Sequence, residues 1–296
     1  MDHHAVISGL DPDLKRALQI RSNKAGLVQL ALHLCLIGFL AMCVAQGGVL
    51  RLFAILPLGI CLIFLFTLEH EATHKTPFAS ERLNEWMGHL CGLLILLPFT
   101  WFRYFHLAHH KYTNDPTRDP ELLVGSKPET RWEYVKHISG IPVWIGQIRK
   151  IWDNALGRKL GRYTPDKAKP RIIWEARIYL GFYALALTSL TVSDLVIWLW
   201  VVPLILGQPF LRLYLLAEHG RCAFVSNMLE NTRTTYTSRL VRFLAWNMPF
   251  HTAHHILPNV PFHNLPKLNE VIADKLGATS NGYQEFHKDY IAQFQR

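Results

Sequence analysis

The chain has 296 residues, half of them hydrophobic, yet its 31 Lys and Arg outnumber its 22 Asp and Glu and give a net charge of +9. A positive mean hydropathy beside so many charges is uncommon in soluble proteins, and it predicts that the apolar residues are clustered into membrane-spanning segments. Anionic lipid headgroups are sufficient partners for the basic excess, so we expect no nucleic acid partner.

Four apolar runs, taken in chain order, predict four transmembrane helices at 26–46, 52–68, 178–192 and 195–216. The run 52–68 would rise roughly 26 Å as a helix, close to the hydrocarbon thickness of a bilayer. Buried helices of soluble proteins usually carry a polar stripe at the helical period, and these runs mostly lack one. The fold class predicted is therefore an all-α integral membrane protein with one domain over 1–296.

The stretch 89–99 is also apolar, but it has only about half the length that a span needs. We expect it to enter the membrane and return, or to lie in the interface. Residues 1–24 are polar, and the first apolar run is long and lacks a cleavage pattern, so that run is predicted to be a retained span.

Lys and Arg are concentrated before the first run, in the segment 69–175 and in the tail, whereas the two short links between runs hold a single Arg51. By the positive-inside rule, both termini and the segments 69–175 and 219–296 are cytoplasmic and form a helical cap. The five cysteines show no C-x-x-C spacing and are interpreted as packing residues.

Histidines form three clusters in the predicted cap. They are "HEATH" with His70 and His74, "FHLAHH" with His106, His109 and His110, and "FHTAHH" with His251, His254 and His255. Positions i, i+3 and i+4 share one helix face, so each H-x-x-H-H can present three imidazoles in one direction. Imidazole suits zinc, copper, iron and nickel alike, but eight ligands exceed the three of a catalytic zinc site and favour two metal ions.

"HEATH" also matches the zinc hydrolase pattern, in which Glu71 would be the general base. An intramembrane zinc protease leaves six clustered imidazoles unexplained. A metal or haem carrier without enzymatic activity is a further alternative, and metal content and oxygen consumption would separate these possibilities.

The fourth span would deliver "AEHG", with Glu218 and His219, to the same side of the membrane as the three clusters. His89 stays open as a residue that supports a ligand from behind. Terminal, loop or packing roles are expected for the remaining histidines: His3, His4, His33, His137, His263 and His287.

Between residues 70 and 268 the chain resembles the membrane fatty acid desaturase family. The likeness rests on "HEATH", "HLAHHKYTNDPTRDPE" and "WNMPFHTAHHILPNVPFHNLP", with "NTRTT" at 231–235 in support. The resemblance implies four spans and a diiron centre that uses dioxygen, a fatty acyl substrate and electrons from a separate donor such as ferredoxin or a cytochrome. It implies nine iron ligands: His70, His74, His106, His109, His110, His219, His251, His254 and His255. One iron would take His70, His106, His110 and His255, and the other iron the remaining five.

Where animal acyl desaturases place an asparagine four residues before the histidine aligned with His219, this chain has Leu215. Asn247 could supply a comparable contact, or could cap a helix. Six residues are expected to contact the ring nitrogen of a ligand histidine that faces away from the metal: Glu71, Asp115, Asp119, Glu121, Glu218 and Asn247. For Asp115 and Asp119, each followed by proline, turn formation is an equal alternative.

The sequence thus predicts O2-dependent desaturation of an acyl chain. Hydroxylation or ketolation of a lipid, carotenoid or alkane is the alternative within the same diiron class.

The tail 261–296 is expected to form an amphipathic helix under the site. Arg233, Arg239 and Arg242 could hold a phosphate, although snorkelling to the headgroups is the simpler interpretation.

Overall fold

The computed structural model describes residues 2–294 and consists almost entirely of helices, which confirms the predicted helical class. The α-helices are α1 His3–Ser8, α2 Pro12–Leu18, α3 Asn23–Gln46, α4 Gly48–Ile63, α5 Leu65–Thr73, α6 Glu81–Leu94, α7 Phe99–Tyr112, α8 Pro120–Val124, α9 Arg131–Ile138, α10 Ile141–Ala155, α11 Lys169–Ser189, α12 Val202–His219, α13 Met228–Asn231, α14 Arg239–Leu244, α15 His251–Ile256, α16 Leu265–Ile272 and α17 Tyr283–Ala292. Short helical turns occupy Asp166–Ala168, Ile197–Val201 and Ala273–Lys275, and the strands β1 Thr234–Thr235 and β2 Thr279–Ser280 pair in parallel.

Three helical stretches in the described part of the chain are long and apolar enough to cross a membrane. They are Asn23–Gln46, Gly48–Thr73 and Ile197–His219. The first is α3. The second joins α4 and α5 across Phe64, and the third joins the turn at Ile197 to α12. These stretches contain the predicted spans 26–46 and 52–68 and all but the first two residues of 195–216.

The predicted span 178–192 falls differently. Its helix, α11, begins at Lys169 and carries Arg171, Glu175 and Arg177 in its first half, and it is not among the three stretches that meet the criterion. Its second half does expose apolar side chains, with Leu185 and Leu187 about 70% exposed. The helix therefore begins well before the apolar run, and charged residues occupy the part that precedes the predicted span.

Helices α6 and α7 form a pair bent by 102° at the break between Leu94 and Phe99, as in a broken span or a re-entrant loop. The bend lies within the stretch that the sequence marked as too short to cross. The Asn84 side chain donates to the Lys75 carbonyl, so α6 begins close to His74, and His106 of α7 contacts His74 again. The pair thus leaves and returns to the same end of the bundle, and a fourth span is counted only if the pair is one span.

Helices α4 and α12 pack closely at two glycines. A Cβ at Gly59 would lie 2.0 Å from the Pro203 carbonyl oxygen, and one at Gly207 would lie 2.2 Å from that of Gly59. Small residues let helix backbones approach in this way. Because α4 continues into α5 with His70, and α12 ends at His219, this contact sets the distance between two parts of the site.

The tail contains two helices, α16 and α17, where the sequence predicted one. Phe286 and Tyr290 of α17 pack against Leu216 and Ala217 near the end of α12. The tail thus braces the helix that ends at His219.

Candidate metal centre

Nine histidines from four separated parts of the chain lie together at the ends of α5, α7 and α12 and in α15, and all nine are buried or nearly so. Two groups offer ligand atoms that all lie within 4.8 Å of one another, namely His70, His74, His106, His110 and His254 in one group and His109, His219 and His255 in the other. His251 adjoins the second group, because its Nε2 lies 3.1 Å from the Nε2 atoms of both His219 and His255.

This grouping corrects the expected division of ligands at three residues. His74 and His254 lie with His70, and His255 lies with His109 and His219. Neighbours in sequence can join different groups because His254 and His255, on one helix, point about 100° apart. Their ring planes are 84° apart.

In the second group, the hydrogen-bond partners of the Nδ1 atoms, which face away from the centre of the group, indicate which ring nitrogen carries the proton. Nδ1 of His109 lies 2.9 Å from the Asp119 carboxylate, and Nδ1 of His219 lies 3.0 Å from the Asn231 carbonyl oxygen. Both partners accept, so both Nδ1 atoms carry the proton and donate. When both rings are neutral, their Nε2 atoms, 3.2 Å apart, are two bare lone pairs that face each other.

His255 has the same arrangement. The Thr113 hydroxyl donates to the His109 carbonyl and can accept from His255 Nδ1 at 3.2 Å, which leaves His255 Nε2 as a lone pair directed at His251. Facing lone pairs repel each other unless a cation lies between them. The donor chemistry of the second group therefore fits a metal ion.

Distances in both groups fit the same conclusion. The closest Nε2 pairs are His70 with His254 at 2.8 Å and His74 with His106 at 2.9 Å. Two imidazoles at right angles on one first-row ion, each about 2.1 Å away, would have nitrogens roughly 3.0 Å apart. Neither ring nitrogen of His110 has a hydrogen-bond partner within residues 2–294, as expected of a ligand whose metal supplies that contact.

Burial disfavours the charged form of His74 and of the three histidines of α15. Burial, reinforced by the neighbouring histidines, holds the pKa of His251, His254 and His255 well below its usual value of 6.5. Burial, with smaller effects of Arg103 and His109, lowers the pKa of His74 to about 3. The neutral ring is the form that binds a metal ion.

Four of the six residues expected behind the ligands do lie there. Asp119 contacts His109 directly, and Glu121 lies 3.8 Å from the same Nδ1. Glu218 lies 3.4 Å from Nδ1 of His251, and Glu71 lies 3.6 Å from Nδ1 of His254. The structure thus pairs each of these acidic side chains with a particular histidine, and the sequence had assigned no such pairs.

Asp119 serves both of the roles considered for it, since it also caps α8. Asp115 serves only as a turn residue: its recorded contacts are with Thr117 and Arg118. The expectation that Asp115 holds a ligand is therefore not supported by its position.

Asn247 is also elsewhere. It accepts from Arg242 and donates to the Phe262 carbonyl, and at φ 58° it forms the left-handed turn before α15 instead of capping that helix. Leu215 packs in the hydrophobic core. The suggested replacement of the missing asparagine by Asn247 is thus not seen.

His89, His33 and Arg233 all have contacts outside the two histidine groups. His89 contacts Glu175 and Arg171, at 2.6 Å and 2.9 Å, in an ion cluster separate from the nine histidines. His33 is a packing residue that contacts the Cys61 carbonyl. Arg233 donates through its Nη1 to the carbonyls of Ala217 and Gly220 and lies over the Phe286 ring.

Thr113, Asn231 and His3 also contribute to the site, although no pattern in the sequence indicated them. Asn231 acts through its backbone carbonyl, and no side-chain pattern reveals such a role. His3 is buried where the sequence predicted an ordinary terminal residue, and with His4 and Ile7 of α1 it lines a cavity of about 320 Å³ that reaches His110 and His255. The short α1 therefore lines one approach to the site.

The fold and the histidine geometry agree with the comparisons to known proteins. The sequence profile of the family described as fatty acid desaturase matches residues 47–287. The chain belongs to the fatty acid desaturase family.

Three relatives illustrate the range of similarity. The chain is 23% identical over 236 residues to an sn-1 oleoyl-lipid 12-desaturase of Arthrospira platensis, covering 70% of this chain and 64% of the relative. It is 27% identical over 241 residues to a dihydrorhizobitoxine desaturase of Bradyrhizobium elkanii, covering 74% and 66%. It is 25% identical over 251 residues to an sn-1 acyl-lipid omega-3 desaturase (ferredoxin) of a Nostoc strain, covering 76% and 66%. The chain spans slightly less than two thirds of the length of these relatives.

Proposed function

We propose that this protein desaturates a fatty acyl chain with dioxygen at a diiron centre held by the nine histidines. One iron would be held by His70, His74, His106, His110 and His254, and the other by His109, His219, His251 and His255. Bound iron supplies the redox chemistry with dioxygen that removal of hydrogen from an unactivated C–H bond needs. The convergence of histidine ring nitrogens from separated parts of the chain into two groups, each with ligand atoms within 4.8 Å of one another, is the observation on which the proposal rests.

The residues of the chain have distinct tasks in this proposal. Asp119, the Asn231 carbonyl and Thr113 hold the outer ring protons and so aim the inner nitrogens at the metal. Glu71 and Glu218 place carboxyl oxygens 3.6 Å and 3.4 Å from the Nδ1 atoms of His254 and His251. The apolar helices exclude water from the reacting carbon, and an acyl chain approaches between them.

Glu71 argues against the zinc protease alternative. A general base must reach a metal-bound water, whereas the Glu71 carboxylate accepts from the Thr76 hydroxyl at 2.8 Å and the Phe262 N–H at 3.3 Å. Its free oxygen faces His254. The carboxylate is thus held in a supporting position.

Electrons would come from a separate protein, for which ferredoxin is one candidate because one relative's name contains it. The cavity at His110 and His255 offers this donor an approach to the metal centre.

We also propose that residues 1–296 form one domain, with both termini and the metal centre on the cytoplasmic side, because Lys and Arg are concentrated in the corresponding segments.

The test is expression in a host that lacks the product, followed by mass spectrometry of total fatty acids and by metal analysis of the purified protein. A new double bond and two irons per chain are expected, and both should be absent when His254 is replaced by alanine. Hydroxylated or oxo products would assign the protein to the hydroxylase alternative. One zinc per chain and no oxygen consumption would contradict the proposal.

A further inference from the structure

A second cavity, of about 250 Å³, lies where α14 meets α3. It is lined by Gln29 of α3, by Arg239, Arg242 and Phe243 of α14, and by Asn247. No metal-site histidine lines it. The cavity is therefore a separate site with two guanidinium groups.

These two guanidinium groups have no anionic partner among the described residues. Salt bridges in residues 2–294 pair other arginines, for example Arg103 and Arg171 with Glu85, but include neither Arg239 nor Arg242. Arg242 donates to Asn247 and lies over the Phe250 ring, which fixes its position, while Arg239 is exposed. Positive charge at the cavity is thus available to an anion.

The surroundings of the cavity indicate a membrane surface. Leu240, next to Arg239, is 62% exposed, and Leu27 and Val28, next to Gln29 in the apolar helix α3, are 45% and 51% exposed. Apolar side chains beside arginines are typical of the boundary between headgroups and acyl chains. The anion that arginine binds best at this boundary is a phosphate, because guanidinium N–H groups match its oxygens.

The cavity is also connected to the metal centre. Asn247, which accepts from Arg242, donates to the Phe262 carbonyl at 3.1 Å. The Phe262 N–H donates to Glu71, whose other oxygen lies 3.6 Å from His254. The cavity is therefore joined to a proposed iron ligand through the side chains of Asn247 and Glu71 and the backbone of Phe262.

We propose that this cavity binds the phosphate of a membrane phospholipid and, resting on the proposed function, that a phospholipid is the carrier from which the acyl chain reaches the metal centre. General snorkelling of arginines toward headgroups does not require a cavity with an amide-fixed guanidinium. A soluble phosphorylated carrier would present the same chemical group, and the experiment separates the two sources.

The test uses the full-length protein purified in detergent and counts retained lipid by native mass spectrometry. The probes are dioleoyl phosphatidylglycerol, dioleoylglycerol, which lacks the phosphate, and inorganic phosphate as competitor. Wild-type protein is expected to retain one phosphatidylglycerol at least about tenfold more tightly than Arg239→Gln, since charge-assisted hydrogen bonds are lost. Arg242→Lys, which keeps the charge but not the forked donors, should lie between them.

Arg82→Gln is the matched control, because Arg82 is an exposed arginine at the start of α6 without a salt bridge in the described chain. Equal losses in Arg82→Gln and Arg239→Gln, or equal retention of dioleoylglycerol, would overturn the site. Displacement of the lipid by millimolar inorganic phosphate would overturn the lipid assignment in favour of a soluble carrier.

Iron content and oxygen consumption are measured on the same preparations. If wild-type protein binds phosphatidylglycerol as expected but holds no iron, the proposed function fails while the phosphate site stands. If it holds two irons and desaturates lipid, but Arg239→Gln binds phosphatidylglycerol as wild type does, the phosphate site fails alone.

Discussion

At the scale of single residues, the nitrogen that faces away from the proposed metal decides what each imidazole can do. Asp119, Thr113 and the Asn231 carbonyl can each accept a hydrogen bond from the outer N–H of one histidine, so that the inner nitrogen of the neutral ring is directed at the metal. Such partners typically contribute 10- to 100-fold to metal affinity. Substitution of these partners therefore tests the site without removing a ligand.

Asp119→Asn is expected to lower iron affinity about 10- to 100-fold, because a neutral amide accepts more weakly and can present its donor side to His109. Iron retained against a graded chelator measures the effect. Asp115→Asn lies in the same turn and contacts only Thr117 and Arg118, so it should retain iron as wild type does. Equal loss in both variants would mean that the turn, and not the contact with His109, is responsible.

Glu71→Gln is expected to reduce iron loading but leave measurable desaturation, because the amide oxygen keeps the contact with Thr76 while an NH2 group replaces the oxygen that faces His254. Product yield and iron content are measured together. Complete loss of turnover with full metal content is the result expected of a general base, and it would contradict the supporting role assigned here.

At the scale of helices, close approach of α4 and α12 brings His70 and His219 within one site. Each glycine at this crossing meets the backbone of the other helix. Added side-chain volume in a well-packed contact typically costs 1–3 kcal/mol, so the crossing is a sensitive point of the fold.

Gly207→Ala is expected to lower the midpoint of thermal unfolding and the iron content together, because its Cβ would lie 2.2 Å from the Gly59 carbonyl oxygen and force the helices apart. The control is Gly181→Ala in α11, where no atom lies within 4 Å of the added Cβ. Alanine there should be neutral or stabilising by up to about 1 kcal/mol, since alanine is the better helix former. Unchanged unfolding of Gly207→Ala would show that the crossing can relax.

At the scale of the whole molecule, four separated segments meet only when the bundle, the bent pair α6–α7 and the tail are all in place. Without metal, neutral rings at the centre direct lone pairs at each other. The ions are therefore expected to contribute to the stability of the fold as well as to its chemistry.

Removal of iron by a chelator is expected to lower the midpoint of thermal unfolding by several degrees, since a ligand at 100 times its Kd stabilises the native state by about 2.7 kcal/mol. His109→Ala and His254→Ala, one from each group, should abolish turnover and show a smaller shift on chelation. His137→Gln, outside both groups, should behave as wild type. Near-normal turnover of either alanine variant would contradict its assignment as a ligand.

The sequence by itself was sufficient to predict the apolar helices and the three clusters of histidines. Apolar runs long enough to cross a bilayer are local properties, and H-x-x-H-H aligns its imidazoles through the period of one helix, so neither needs tertiary information. The same local reasoning misplaced the bounds of α11, because a helix can continue past its apolar run into charged residues.

Only the tertiary structure decided which histidines share a group, which acidic residue stands behind which ring, and where Asn247 points. His254 and His255 are adjacent in sequence and belong to different groups, and Asp115 and Asp119 occupy one turn but only Asp119 reaches a histidine. These choices depend on the packing angles of helices far apart in the chain, which a one-dimensional period does not contain. The meeting of Arg242, Asn247, Phe262 and Glu71 has the same origin, since three chain segments form it.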